Sequence, residues 1–170
     1  CSGSAQALNT RTWIASTGSD VAGCGPVATP CRSLQFAHDQ TSAGGEIDVK
    51  DSAGYGAVTT AKSITIVGDG SLAGVLGAPS GNAITINAGT SDTVVLRGLT
   101  IEGAGVASNG IVFNTGRSLV VANCLARGFA GSGATGNGIF IGPTSGTSSV
   151  TIVDTILSGN EFAGLQFFPQ

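Results

Sequence analysis

Arg127 follows Glu102 by 25 residues, and each closes a short apolar run, LAR and LTIE. If the chain rises by one layer in that interval, the two side chains share one outward surface about 5 Å apart. A guanidinium beside a carboxylate can bind a uronate or assist proton abstraction in a polysaccharide lyase. The same pair can equally be a lateral ion pair on an exposed sheet, contributing about 0–1 kcal/mol. Asp48, Asp51 and Asp69 are a second candidate group, able to bind a cation or to act as an acid/base pair at glycosidase separation. Against that, Glu46, Asp48 and Lys50 read as outward charges that blunt an edge strand. Tyr55, the single Tyr, lies in Gly54-Tyr55-Gly56 and can stack on a sugar ring or pack into the turn. Gly98, Asn123 and Asp154 form one column, where a stacked Asn or Asp bonds corner backbone or contributes to a calcium site. Calcium is the only metal this pattern admits, and it lacks a converging set of carboxylates. The sole His38 has no second ligand at zinc spacing and is expected to face solvent.

The elements that would position these residues repeat. LRGLTIEG at 96–103 aligns with VANCLARG at 121–128 and IVDTILSG at 152–159. A second series, Asn82-Ala83-Ile84, Asn109-Gly110-Ile111 and Asn137-Gly138-Ile139, recurs at nearly the same period, with Ala163-Gly164-Leu165 as a degenerate fourth. Strands are expected at 46–50, 63–67, 83–87, 93–97, 98–102, 110–113, 118–122, 138–141, 149–153 and 154–158. Ile64 and Ile66 flank Thr65, and Ile84 and Ile86 flank Thr85, so one face is buried and the other wet. A period near 25 with strands and turns alone indicates a solenoid whose coils stack about 4.8 Å apart. Leu96, Val121 and Ile152 should then form one vertical column. A β-sandwich would place Asn-Gly in hairpin turns; here Asn109-Gly110 and Asn137-Gly138 fall at repeat spacing and read as coil corners. Outward threonines such as Thr65, Thr85, Thr100 and Thr151 form no paired rows of the ice-binding kind.

The first 45 residues differ from the rest. Residues 1–8 read as an export remnant or, with Cys1 lipid-modified, as a tether. Residues 9–45 read as a cap, and 46–170 as the solenoid. The cap contains a Thr12-Trp13-Ile14 strand, a Cys24–Cys31 loop suited to a disulfide, and one helix from Ser33 to Gln40 with Ala43-Gly44-Gly45 ending it. Leu34, Phe36 and Trp13 are expected to cover the apolar floor of the first coil. Cys124, in an apolar run, reads as a buried free thiol. Phe162, Leu165, Phe167 and Phe168 crowd the last residues, where they are expected to fold over the final coil, to lie beneath a cap that a longer parent chain possesses, or to drive self-association.

Composition narrows the function. The 170 residues carry 28 Gly and only 10% charged side chains, with a net charge of −3. Globular domains average about 7% Gly and roughly 25% charged. A chain with seven scattered basic residues does not offer the basic patch that nucleic acid requires, and no apolar run is long enough for a membrane-spanning helix. Nucleophile-elbow, P-loop and H-E-x-x-H motifs are absent.

The coils from SITIVGDG through TVVLRGLTIEG and LVVANCLARGF to VTIVDTILSGN resemble right-handed parallel β-helix proteins of the pectate-lyase-like superfamily. The R-T-W strand, Cys-loop-Cys and capping helix are similar to the opening of small exported bacterial members. The resemblance implies an all-β, right-handed parallel β-helix solenoid of about five coils with an N-terminal capping helix. It also implies a secreted, periplasmic or cell-surface location and a polysaccharide as the class of ligand. The expected function is a non-catalytic exported module presenting a polar, glycan-binding or assembly face. The alternatives are a polysaccharide lyase or glycoside hydrolase using Arg127 with Glu102 or the aspartate group, and a self-stacking fibre subunit.

Overall fold

Alternation of β-branched and small polar residues in short runs makes strands, and corners of Gly, Asn and Asp turn them through one layer. The computed structural model describes residues 8–144 and 146–168, so the export-remnant reading of 1–7 lies outside the described residues. Strand β1 (Asn9–Ile14) and helix α1 (Leu34–Gln40) form the cap. Five strand triplets follow: β2 (Thr41–Val49), β3 (Ala53–Gly54) and β4 (Val58–Thr60); β5 (Ile64–Val67), β6 (Ala73–Leu76) and β7 (Asn82–Asn87). The third triplet is β8 (Thr93–Arg97), β9 (Leu99–Glu102) and β10 (Asn109–Thr115), and the fourth β11 (Ser118–Ala122), β12 (Leu125–Arg127) and β13 (Asn137–Ile141). The fifth is β14 (Ser149–Val153), β15 (Ile156–Ser158) and β16 (Ala163–Phe167).

The triplets stack into three parallel sheets: β1-β2-β5-β8-β11-β14, β3-β6-β9-β12-β15 and β4-β7-β10-β13-β16. This is a β-solenoid that makes about four turns from its first triplet to its last. The strand pairings are parallel, which no hairpin-built sandwich allows. Val121 pairs with Leu96 below and Ile152 above, so the expected column exists. The core runs up the middle: Ile47, Ile66, Leu96, Val121, Ile86, Ile101, Phe113 and Phe129 are buried.

Several corners and boundaries differ from the sequence reading. The helix stops at Gln40, and β2 begins at Thr41, not Glu46, because Lys62 Nζ donates to the carbonyls of His38 and Thr41 and takes over the helix C-terminus. Ser33 caps the N-terminus by accepting from Phe36 N. Asn109-Gly110 and Asn137-Gly138 are not corners but strand starts. Their amides stack inward: Asn109 Nδ2 donates to Asn82 Oδ1 at 3.1 Å and Asn137 Nδ2 to Asn109 Oδ1 at 3.0 Å. Glycine follows because the backbones close in there; a Cβ on Gly110 would lie 2.3 Å from the Gly138 carbonyl oxygen. The true corner column is Gly98, Asn123 and Asp154, all left-handed (φ 65°, 54° and 47°), a conformation that Gly, Asn and Asp adopt at least cost.

At the N-terminal end Leu34 and Ala37 pack into the core and Phe36 leans on it. Trp13 does not help cover it. It projects from the outer face of β1, with the Arg11 guanidinium 4.9 Å over its ring, because the inward positions of that strand are Thr12 and Ile14. His38 is 6% exposed, contrary to expectation, because it lies one turn beyond Leu34 on the buried stripe. Cys24 and Cys31 form a disulfide and Cys124 is a buried free thiol. At the other end Leu165, Phe167 and Phe168 do not fold over the last coil; they stay 48%, 64% and 54% exposed.

Candidate functional site

Residues whose side chains point out of a stacked sheet line up in rows, and the second sheet carries two of them across its outward face. One row runs Gly54, Gly74, Thr100, Leu125, Ile156, and the next runs Leu76, Glu102, Arg127, Ser158. Arg127 Nε donates to Glu102 Oε2 at 2.7 Å, so the pair read from the 25-residue offset is present. Both side chains are accessible, 54% for Arg127 and 31% for Glu102.

Two adjoining depressions cover this face. One, of about 490 Å³, has Gly54, Gly74, Thr100 and Leu125 in its lining with Arg127 at its edge. The other, of about 260 Å³, continues from Leu72, Thr100 and Leu125 to Asp69, Asn123 and Asp154. The shared residues make a single shallow shelf with a small, apolar floor. At its far rim Arg97 Nε donates to Asp69 Oδ2 at 2.8 Å, and Asn123 Nδ2 donates to Asp69 Oδ1 at 3.3 Å. Both arginines thus meet their carboxylates through Nε. Among the described residues the terminal nitrogens of Arg97 and Arg127 make no hydrogen bond, which leaves two oriented guanidinium edges facing solvent. Arg97 was not among the candidates; its place at the end of a strand just before the left-handed Gly98 was the available signal.

The aspartate group does not assemble. Asp48 lies beneath Arg11, which binds it through Nε at 2.5 Å and Nη2 at 3.0 Å. Asp51 accepts from Ser16 N at 2.8 Å, from Ser16 Oγ at 2.6 Å, and from the Tyr55 hydroxyl. Those bonds, Ser16 first, hold its carboxyl down at about 2. Asp69 belongs to the shelf rim. Each carboxylate is committed to its own partners. Among the described residues no group of three or more His, Cys, Asp and Glu is placed to hold a metal ion.

Tyr55 is no stacking platform. It is 1% exposed, its hydroxyl donates to the Asp51 carbonyl at 2.7 Å, and burial, with Asp51 beside it, pushes its ionisation well above the ordinary range. The Arg32 guanidinium sits 5.7 Å over its ring. A further depression of about 370 Å³ in the disulfide loop has a lining that includes Thr17, Ser19, Val21 and Pro30 and brings no titratable side chain. Among the described residues no helix is long and apolar enough to cross a membrane. No protein-family model, curated protein or solved structure matches the chain, so the shelf is read from its own residues.

Proposed function

We propose that the chain is an exported, non-catalytic β-helix module that binds an acidic polysaccharide along the outer shelf of its second sheet. The observation that carries this is the pair of guanidiniums pinned through Nε: Arg127 lines the shelf beside Glu102, and Arg97, at the end of β8 in the neighbouring sheet, is bonded to Asp69 on the shelf's rim. Preoriented guanidinium edges suit carboxylates, which they engage with two parallel hydrogen bonds. The floor of Gly54, Gly74 and Thr100 lets a flat chain lie close. Export is supported by the Cys24–Cys31 disulfide, a bond favoured in oxidising compartments, and the polysaccharide class by the resemblance stated on sequence. Commitment of Glu102 to Arg127 leaves neither as a free acid or base, which favours binding over turnover.

Calorimetric titration with polyuronate oligosaccharides tests this. Binding is expected, with Arg127→Ala and Arg97→Ala each weakening it about tenfold, the worth of one charge-assisted bond. No binding, or binding untouched by either substitution, removes the reading. A rise in ultraviolet absorbance from unsaturated uronate ends would replace it with the lyase alternative.

A second reading, assembly through the last coil, is favoured by a separate observation. Leu165 and Phe167 continue the buried column of Ile139 and Ile141 yet are 48% and 64% exposed.

A further inference from the structure

We infer that the glycan taken by this shelf carries an aromatic acyl ester, whose ring lies in a hollow over Gly54 and Gly74. The inference rests on the polysaccharide reading above and adds the substituent which that reading leaves open. The outward row of the second sheet grows layer by layer, from Gly54 and Gly74 through Thr100 to Leu125 and Ile156. The face is therefore deepest beside the cap. Leading into and along β6 the alternate residues are Leu72, Gly74 and Leu76, a bare position between two leucines that are 70% and 51% exposed. Ser52 Oγ accepts from Leu72 N at 2.9 Å and ties that wall to the layer below. The hollow belongs to the depression of about 490 Å³, a volume ordinary for a small-molecule site.

The fold does not ask for glycine at Gly54. A glycine inside a strand weakens it, and such a residue commonly marks a bulge, a strained backbone or a close approach by a ligand or another chain segment. Gly54 pairs in register with Gly74 and is not among the glycines of positive φ. A Cβ built on it would meet nothing within 4 Å, so no neighbouring segment claims the space. Gly74 differs, since its Cβ would lie 3.0 Å from the Ala53 carbonyl oxygen. Both carbonyls of the floor are taken: Arg32 Nη1 donates to Gly54 O at 2.9 Å and Tyr55 N to Gly74 O at 2.8 Å. An added strand would find neither acceptor free. What the hollow offers is bare peptide planes between leucines.

Those features select the ligand. A floor without side chains suits a flat ring laid on it, whereas a branched acyl chain holds its bulk away from such a floor. The leucines supply apolar contact at the ring's edges. Arg127 lines the same depression and meets Glu102 of the layer beneath through Nε. Its terminal nitrogens make no hydrogen bond among the described residues, and they stand one to two layers above the hollow, roughly 5–10 Å along the stack. Anion and ring are thus separate groups of the ligand: a uronate carboxylate at Arg127 and an ester on a sugar beside it.

Calorimetric titration with a polyuronate oligosaccharide, and with the same oligosaccharide carrying one benzoyl ester, tests the inference. The ester is expected to bind at least tenfold tighter, as burial of much of a ring allows. Gly54→Leu, whose side chain would occupy the hollow, should bring the ratio of the two dissociation constants close to one. Leu72→Ser should lower that ratio severalfold, with far-ultraviolet circular dichroism unchanged in both variants. In the complex the benzoyl protons should give nuclear Overhauser effects to the Leu72 and Leu76 methyl groups. Should Gly54→Leu fail to fold, the Leu72→Ser ratio and these ring contacts decide the matter. Equal affinity for the two oligosaccharides would overturn this inference and leave the polysaccharide reading standing. A preference that survives Gly54→Leu, or a ring that contacts neither leucine, would place the ester elsewhere and reject the inference. Binding of neither oligosaccharide would remove the polysaccharide reading, and this inference with it.

Discussion

Asn137 ends its ladder with an acceptor that nothing fills. Its Nδ2 and backbone N both donate to Asn109 Oδ1, but its own Oδ1 is buried without a hydrogen-bond partner. The residue stacked above it is Ala163, the degenerate member of the Asn series. A buried acceptor left unpaired costs about 1–3 kcal/mol. Ala163→Asn should place an amide over Asn137, donate to that oxygen and extend the ladder by one step. The expected gain is about 1 kcal/mol, read as a rise of about 2–4 °C in melting temperature for a chain of this size. An unchanged or lower melting temperature would show that the last layer does not hold the introduced amide in register. The 27- and 28-residue spacing of Asn82, Asn109 and Asn137 was plain in the sequence; what the amides do with it was not. Asparagine is as common at corners as in ladders, and only the pairing register separates the two roles.

Among the elements, α1 is the one whose stability responds most directly to pH. His38 Nδ1 donates to Asp39 Oδ1 at 2.9 Å, while Nε2 is buried without a partner and Lys62 stands nearby. Burial, the largest cause, pulls the imidazole below its ordinary value of 6.5. The folded chain therefore keeps His38 neutral where the unfolded chain protonates it, and folding stability falls as pH drops below about 6.5. Asp51, held at about 2 against an ordinary 3.8, adds a second loss only as pH falls from about 4 towards 2. Urea unfolding at a series of pH values should show both phases, and His38→Gln should flatten the first while leaving the second. Retention of the first phase in that variant would assign it to another group. The helix itself was readable, and so were strands such as β5, β7, β8, β11 and β14, each with several alternating residues. β3, β4, β6 and β12 were not, since runs of two to four residues hold no clear period, and β15, as short, was read only through its place in the repeat; the neighbouring coil sets their register. The site divides the same way. Glu102 and Arg127 share the repeat, so their meeting followed from the offset of 25. Arg11 with Asp48, Ser16 with Asp51 and Arg97 with Asp69 are 37, 35 and 28 residues apart. Those offsets reflect the cap and a longer corner at 68–72, which the regular period does not encode.

At the scale of the whole molecule, the solenoid is a stack in which each layer touches only its neighbours, so stability is a sum of layer and interface terms. The two ends are unequal. The first layer has α1, the disulfide loop and their backbone bonds on one side and β5–β7 on the other. Among the described residues the last layer has a neighbour on one side only, and its strands are exposed or half-buried along their length. Opening should therefore begin at β14–β16 and proceed inwards, since detaching that layer breaks one interface and exposes little additional core. Hydrogen exchange at low protein concentration is expected to show fastest exchange in β14–β16, slower exchange in β11–β13, and the strongest protection in β5 and β8. Uniform protection from end to end at low concentration would mean that the layers open as one cooperative unit, and the nearest-neighbour account of this stack would have to be abandoned.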